Sequence, residues 1–69
     1  MTEIPKYQLQ DHFNKKITMI EGGKENIVVF EKIDGGWLCG ISVTNKSAIQ
    51  ILMGAKQDEH SPKYFLEIK

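Results

Sequence analysis

Arginine is absent from the chain, and cysteine occurs once, at Cys39. Without arginine there is no planar guanidinium fork to grip guanine edges, phosphates or carboxylates in two places at once. The nine lysines are balanced by nine aspartates and glutamates, for a formal net charge of zero. No basic excess remains to displace counterions from a phosphate backbone, which ranks nucleic acid below protein as a partner. A single cysteine excludes an intrachain disulfide. Its setting, Trp37-Leu38-Cys39-Gly40-Ile41, suits a reducing compartment. Apolar runs are short as well. The longest, Ile27-Val28-Val29-Phe30, has four residues, against the roughly 20 that cross a bilayer. The opening Met1-Thr2-Glu3-Ile4-Pro5-Lys6 lacks the basic-then-apolar pattern of a signal peptide. A cytoplasmic protein is the expectation.

Catalytic pairings are equally scarce. Cys39 with His12 or His60 is the available nucleophile and base. Cys39 falls in an apolar run, where a thiolate is disfavoured and the thiol packs as a small hydrophobe. Asp58-Glu59-His60 and Asp11-His12 gather potential metal ligands without a recognised ligand spacing. Gly22-Gly23-Lys24 lacks the upstream glycine and the following Ser or Thr of a phosphate loop. No catalytic residue, metal or cofactor is expected, and the chain reads as a non-enzyme.

What is present is β pattern. Sixty-nine residues make one small domain, which buries only about 60% of its unfolded surface and so has thin stability unless something staples it. Behind Pro5, Leu9 and Phe13 are spaced for one face of a short helix over Lys6 to Asn14. From Lys16 the period becomes two. Lys16 to Glu21 alternates, Gly22 to Asn26 is turn material, and Ile27 to Ile33 is β-branched and aromatic. Asp34-Gly35-Gly36 offers the positive φ of a tight hairpin, after which Trp37 to Thr44 resumes the strand. Asn45-Lys46-Ser47 closes another turn. Ala48 to Met53 then alternates as a strand, although residues 47–57 also fit a capped helix. Gln57 to Pro62 is polar loop, and Tyr64 to Ile68 forms the last strand. The expected architecture is mainly β: a short N-terminal helix and a five-stranded antiparallel meander curled into a small open barrel. With 47–57 helical, it becomes α+β.

A two-residue loop at Asp34-Gly35 or Gly35-Gly36 places Val28, Phe30, Trp37, Cys39, Ile41 and Val43 on one hairpin face. Ile27, Val29, Ile33 and Leu38 share the other with Glu31, Gly40, Ser42 and Thr44. Both faces are partly apolar, so a curled sheet, the helix or a second subunit must cover them. Gly40, mid-strand and without a side chain, is a candidate bend or bulge.

Leu9-Gln10-Asp11-His12-Phe13-Asn14 resembles the helix opening of the bacterial Hfq family, and helix-then-five-strands is the Sm-like order. The chain departs from that pattern at Val28-Val29-Phe30, where Sm-like proteins bend on a glycine, and it lacks the later tyrosine-lysine-histidine motif. Asp34-Gly35-Gly36-Trp37-Leu38-Cys39-Gly40 is similar to the glycine-tryptophan strand of Src-homology-type barrels. These resemblances imply a fold, and a fold does not fix a function.

The candidate binding residues are Trp37, with Lys32 and Asp34 beside it, and the aromatics Tyr7, Tyr64 and Phe65. Trp37 is expected to be buried, with Lys32 laid over its ring. The functional expectation is a small interaction protein that docks on a larger protein and regulates or inhibits it, in the manner of phage or mobile-element accessory proteins. Self-association into a homo-oligomer is also expected. The alternative is an oligomeric small barrel binding RNA, single-stranded DNA or a nucleotide. No membrane partner is expected.

Overall fold

A computed structural model of the chain describes residues 2–66. Six antiparallel strands form one open sheet: β1 (Thr2–Ile4), β2 (Lys16–Glu21), β3 (Lys24–Asp34), β4 (Trp37–Ser42), β5 (Ala48–Leu52) and β6 (Lys63–Leu66). Their spatial order is β1-β6-β2-β3-β4-β5. Strands β2 to β5 run as a meander. β6 then returns to pair with β2, and β1 adds itself to the far side of β6. The fold is mainly β, as the sequence pattern predicts, with one strand more than the five expected. β1 escapes a pattern search because three residues are too few to show a period. Ile68, assigned above to the last strand, lies outside the described residues.

The expected N-terminal helix is a single 3-10 segment, Lys6–Asp11. Pro5, at φ −60°, sets the entry. The Gln8 N–H reaches the Pro5 carbonyl at 2.9 Å and the His12 N–H reaches Leu9 at 3.0 Å, both i+3 bonds. Asn14 prevents any extension to an α-helix, because its φ of 61° turns the chain and its N–H donates to the Phe30 carbonyl at 2.9 Å. Residues 48–52 are strand, so the helical alternative over 47–57 is not realised. Cross-strand pairing with β4 decides it: Ile49 and Ile51 turn to the core while Ala48, Gln50 and Leu52 turn out.

Glycines make the first two hairpins. Gly22 and Gly23 (φ 58° and 79°) confine the first turn to two residues, so Lys24, Glu25 and Asn26 already belong to β3 and not to a loop. Gly35 and Gly36 (φ 59° and 84°) form the second. The next turn, after β4, is held by side chains. Ser42 Oγ donates to Asn26 Oδ1 at 2.7 Å and accepts the Asn45 N–H at 3.3 Å, while Asn45 Oδ1 accepts the Ser47 N–H at 3.1 Å.

The β3–β4 pairing corrects the expected faces. Asp34, Ile33 and Lys32 oppose Trp37, Leu38 and Cys39, but Phe30 then opposes Gly40 and Val28 opposes Ser42. Glu31 is the extra residue of a β-bulge, and one extra residue exchanges the faces of everything beyond it. Val28 and Phe30 therefore share the inner face with Leu38, Gly40 and Ser42, all buried. Trp37, Cys39 and Ile41 lie on the outer face with Val29, Lys32 and Asp34.

The inner face closes on one core of Ile4, Leu9, Ile17, Met19, Val28, Phe30, Leu38 and Tyr64. Ile49, Ile51 and Leu66 pack against it. Ile4 comes from one edge strand and Ile49 and Ile51 from the other, so the sheet curves enough for both edges to border the same interior. Phe30 and Tyr64 meet edge to face, with ring centroids 6.3 Å apart.

Candidate binding surfaces

Several apolar side chains of the outer face meet solvent. Trp37 is 43% exposed, and Ile41, Val43 and Leu52 are exposed to a similar degree. The registers explain their company. Leu52 pairs with Trp37, Gln50 with Cys39 and Ala48 with Ile41 across β4–β5, and Val29 pairs with Ile41 across β3–β4. Trp37, Leu52, Ile41 and Val29 thus occupy one contiguous side of three neighbouring strands. Polar groups interrupt this surface at Gln50, Lys32 and Asp34.

Of the six candidate residues, the hairpin brings three together. Asp34 stands opposite Trp37, and Lys32 opposes Cys39, two residues along. Trp37 is not buried, contrary to the expectation, because the bulge at Glu31 leaves it on the outer side. The residue directly across from the indole is Asp34, and Lys32, expected there, stands opposite Cys39. Cys39, expected within the core face, is half-buried on the outer side, its Sγ 3.5 Å from the Trp37 carbonyl oxygen. Phe65 is also on the outer face and half-buried, opposite Thr18 on β2 and Glu3 on β1. Tyr7, on the 3-10 segment and not on a strand, is 66% exposed. Tyr64 faces inward as a core residue, 1% exposed.

The free edge of the sheet at β5 is the second feature. The bonds from Met53 N–H to Gly36 O and from Ser42 N–H to Ser47 O fix the alternation, in which Ile49 and Ile51 bond to β4. The N–H groups of Ala48, Gln50 and Leu52 consequently point away from the sheet. Ala48-Ile49-Gln50-Ile51-Leu52 carries no charge and no proline, the usual protections of an edge strand. Two adjoining clefts, of about 230 and 270 Å³, follow this edge and share Glu21, Gln50, Ile51 and Pro62.

Sequence reasoning missed Lys6, which is buried at one end of the first cleft. Its position after Pro5 gives no signal of burial. Tyr64 lines the same cleft, and burial, with the Glu21 carboxylate nearby, pushes its phenol up to about 12. In the polar loop, Asp58 Oδ1 accepts the His60 N–H at 2.8 Å, and His60 and Glu59 form an exposed pair at 3.4 Å. Such a pair contributes little. No family model matches the chain, and no curated protein or solved structure matches it either.

Proposed function

We propose that this chain is an interaction module that docks on a larger protein through the outer face of β3–β4–β5 and thereby regulates or inhibits it. The observation that carries the reading is the exposure of Trp37, Leu52 and Ile41 on one side of the sheet, in a chain whose other large apolar residues are mostly inside. Tryptophan in such a setting is a frequent energetic anchor of interfaces, and Lys32 and Asp34 supply the polar rim. The uncharged edge of β5 lies beside this face and would let a partner strand continue the sheet. In the absence of that partner, the same surface brings two copies of the chain together.

The curvature of the sheet, with β6 returning to β2, supports a finer reading of the fold as a small open barrel of the Sm-like kind. Nucleic acid stays the lesser partner, since nine lysines are balanced by nine carboxylates and arginine is absent.

The test compares affinity capture on the wild-type chain with capture on a Trp37→Asp, Leu52→Asp variant. A partner protein held by the first and lost by the folded variant supports the reading. A partner retained equally by both would place the interface elsewhere. RNA bound at physiological salt would replace the protein-docking reading altogether.

A further inference from the structure

Among the described lysines only Lys6 is buried, at 7% exposure. Its Nζ donates to the Ala55 carbonyl oxygen at 2.9 Å. An ammonium has three N–H donors, so capacity remains after that bond. Among the described residues the one ion pair within 4 Å is His60–Glu59, so no described carboxylate is paired with Lys6. Burying a charge that lacks a counter-charge is costly, and an apolar residue at position 6 would avoid the cost.

Lys6 lines a cleft of about 230 Å³ together with Tyr64, Gln57 and Ser61 on its polar side. Ile51, Leu52, Ala55 and Pro62 form an apolar wall. The Tyr64 ring is enclosed, and its hydroxyl is an O–H donor on a residue that lines the cleft. Like any phenol it is protonated, and hence a donor, across the physiological range, and burial raises its pKa further, to about 12. The exposed Lys56 and Glu21 complete the charged lining, in which lysines outnumber carboxylates two to one.

We propose that this cleft binds a carboxylate: the Lys6 ammonium supplies the counter-charge, the Tyr64 hydroxyl a second donor, and the Ile51–Leu52–Pro62 wall contacts a short apolar group attached to it. A free acid and the C-terminus of a peptide share this chemistry. The cleft shares Gln50 and Leu52 with the outer face, but Lys6 and Tyr64 lie outside that face and Trp37 outside the cleft, so Lys6→Met and Trp37→Asp test the two readings separately.

The experiment titrates the isotope-labelled full chain by NMR, following Lys6 and Tyr64. The probes are acetate, butyrate, N-acetylleucine, neutral N-acetylleucinamide and inorganic phosphate. Saturable shifts are expected with the three carboxylates, and none with the amide. Butyrate should bind about tenfold more tightly than acetate, because two further methylenes meet the apolar wall. N-acetylleucine binding more tightly than butyrate assigns the site to a peptide terminus, and the reverse order assigns it to a free acid. Lys6→Met should abolish the response while leaving the melting temperature unchanged or raised. Tyr64→Phe, which keeps the ring, should weaken binding severalfold. The proposal is overturned by a lack of saturable response to every carboxylate, by a response that survives Lys6→Met, or by phosphate binding as tightly as butyrate.

Discussion

Gly40 stands directly opposite Phe30, so close that a Cβ on Gly40 would lie 2.8 Å from the Phe30 ring and 2.5 Å from the Val29 carbonyl oxygen. The missing side chain lets β3 bulge at Glu31, and the bulge sends Phe30 inward while Trp37 stays outside. Gly40→Ala should therefore destabilise the fold by about 1–3 kcal/mol, the usual cost of overpacking a tight site. Urea unfolding measures it. An alanine accommodated at no cost would show that the close approach is not needed.

The two aromatics of the hairpin should respond oppositely to truncation. Phe30 is fully buried, and Phe30→Ala should cost about 3–5 kcal/mol, most of what so small a domain has. Trp37→Ala removes a cross-strand contact with Leu52 at a partly exposed site and should cost about 1 kcal/mol. Equal losses in the two variants would place the indole in the core.

Tyr64 ties stability to alkaline pH. Its phenol is raised from 10.0 to about 12 in the fold, first by burial and second by Glu21. Below pH about 10 the group is protonated in both folded and unfolded chains and adds no pH dependence. Between about 10 and 12 only the unfolded chain loses the proton, so stability falls there, by on the order of 2–3 kcal/mol. Thermal melts across that window should show the fall in the wild type and a smaller one in Tyr64→Phe. Parallel curves would mean that Tyr64 ionises normally in the fold.

The β5 edge can be tested without touching the core. The Gln50 N–H points away from β4, so Gln50→Pro removes an outward donor and should change stability by less than about 1 kcal/mol. It should also abolish edge pairing between copies. Sedimentation at micromolar concentration reads the outcome: reversible dimers in the wild type and a 7.9 kDa monomer in the variant. A wild-type chain that stays monomeric throughout would rule out self-association by this edge.

The strand was legible where side chains alternate without a competing period, as at Lys16 to Glu21, whereas Ala48 to Leu52 fitted strand and helix alike until its pairing with β4 decided it. The Gly35-Gly36 turn was legible because few other residues accept its backbone angles. The bulge was not. Gly40 flagged an irregularity, but pattern alone could not say that the extra residue sits across from it at Glu31, and a shift of one residue reverses every face assignment. The buried Lys6 was hidden for a similar reason: its burial depends on Ala55 and Tyr64, distant in sequence. The outer-face surface follows from the same bulge, so Trp37 was identified as a candidate while its environment was mistaken.

Trp37 is the single tryptophan, so its fluorescence reports this one position without ambiguity. In dilute, folded protein a solvent-facing indole should emit at long wavelength and be quenched readily by iodide, and partner binding should shift the emission to shorter wavelength and shield it. Short-wavelength, quencher-resistant emission from the dilute monomer would contradict an exposed Trp37 and, with it, the docking face.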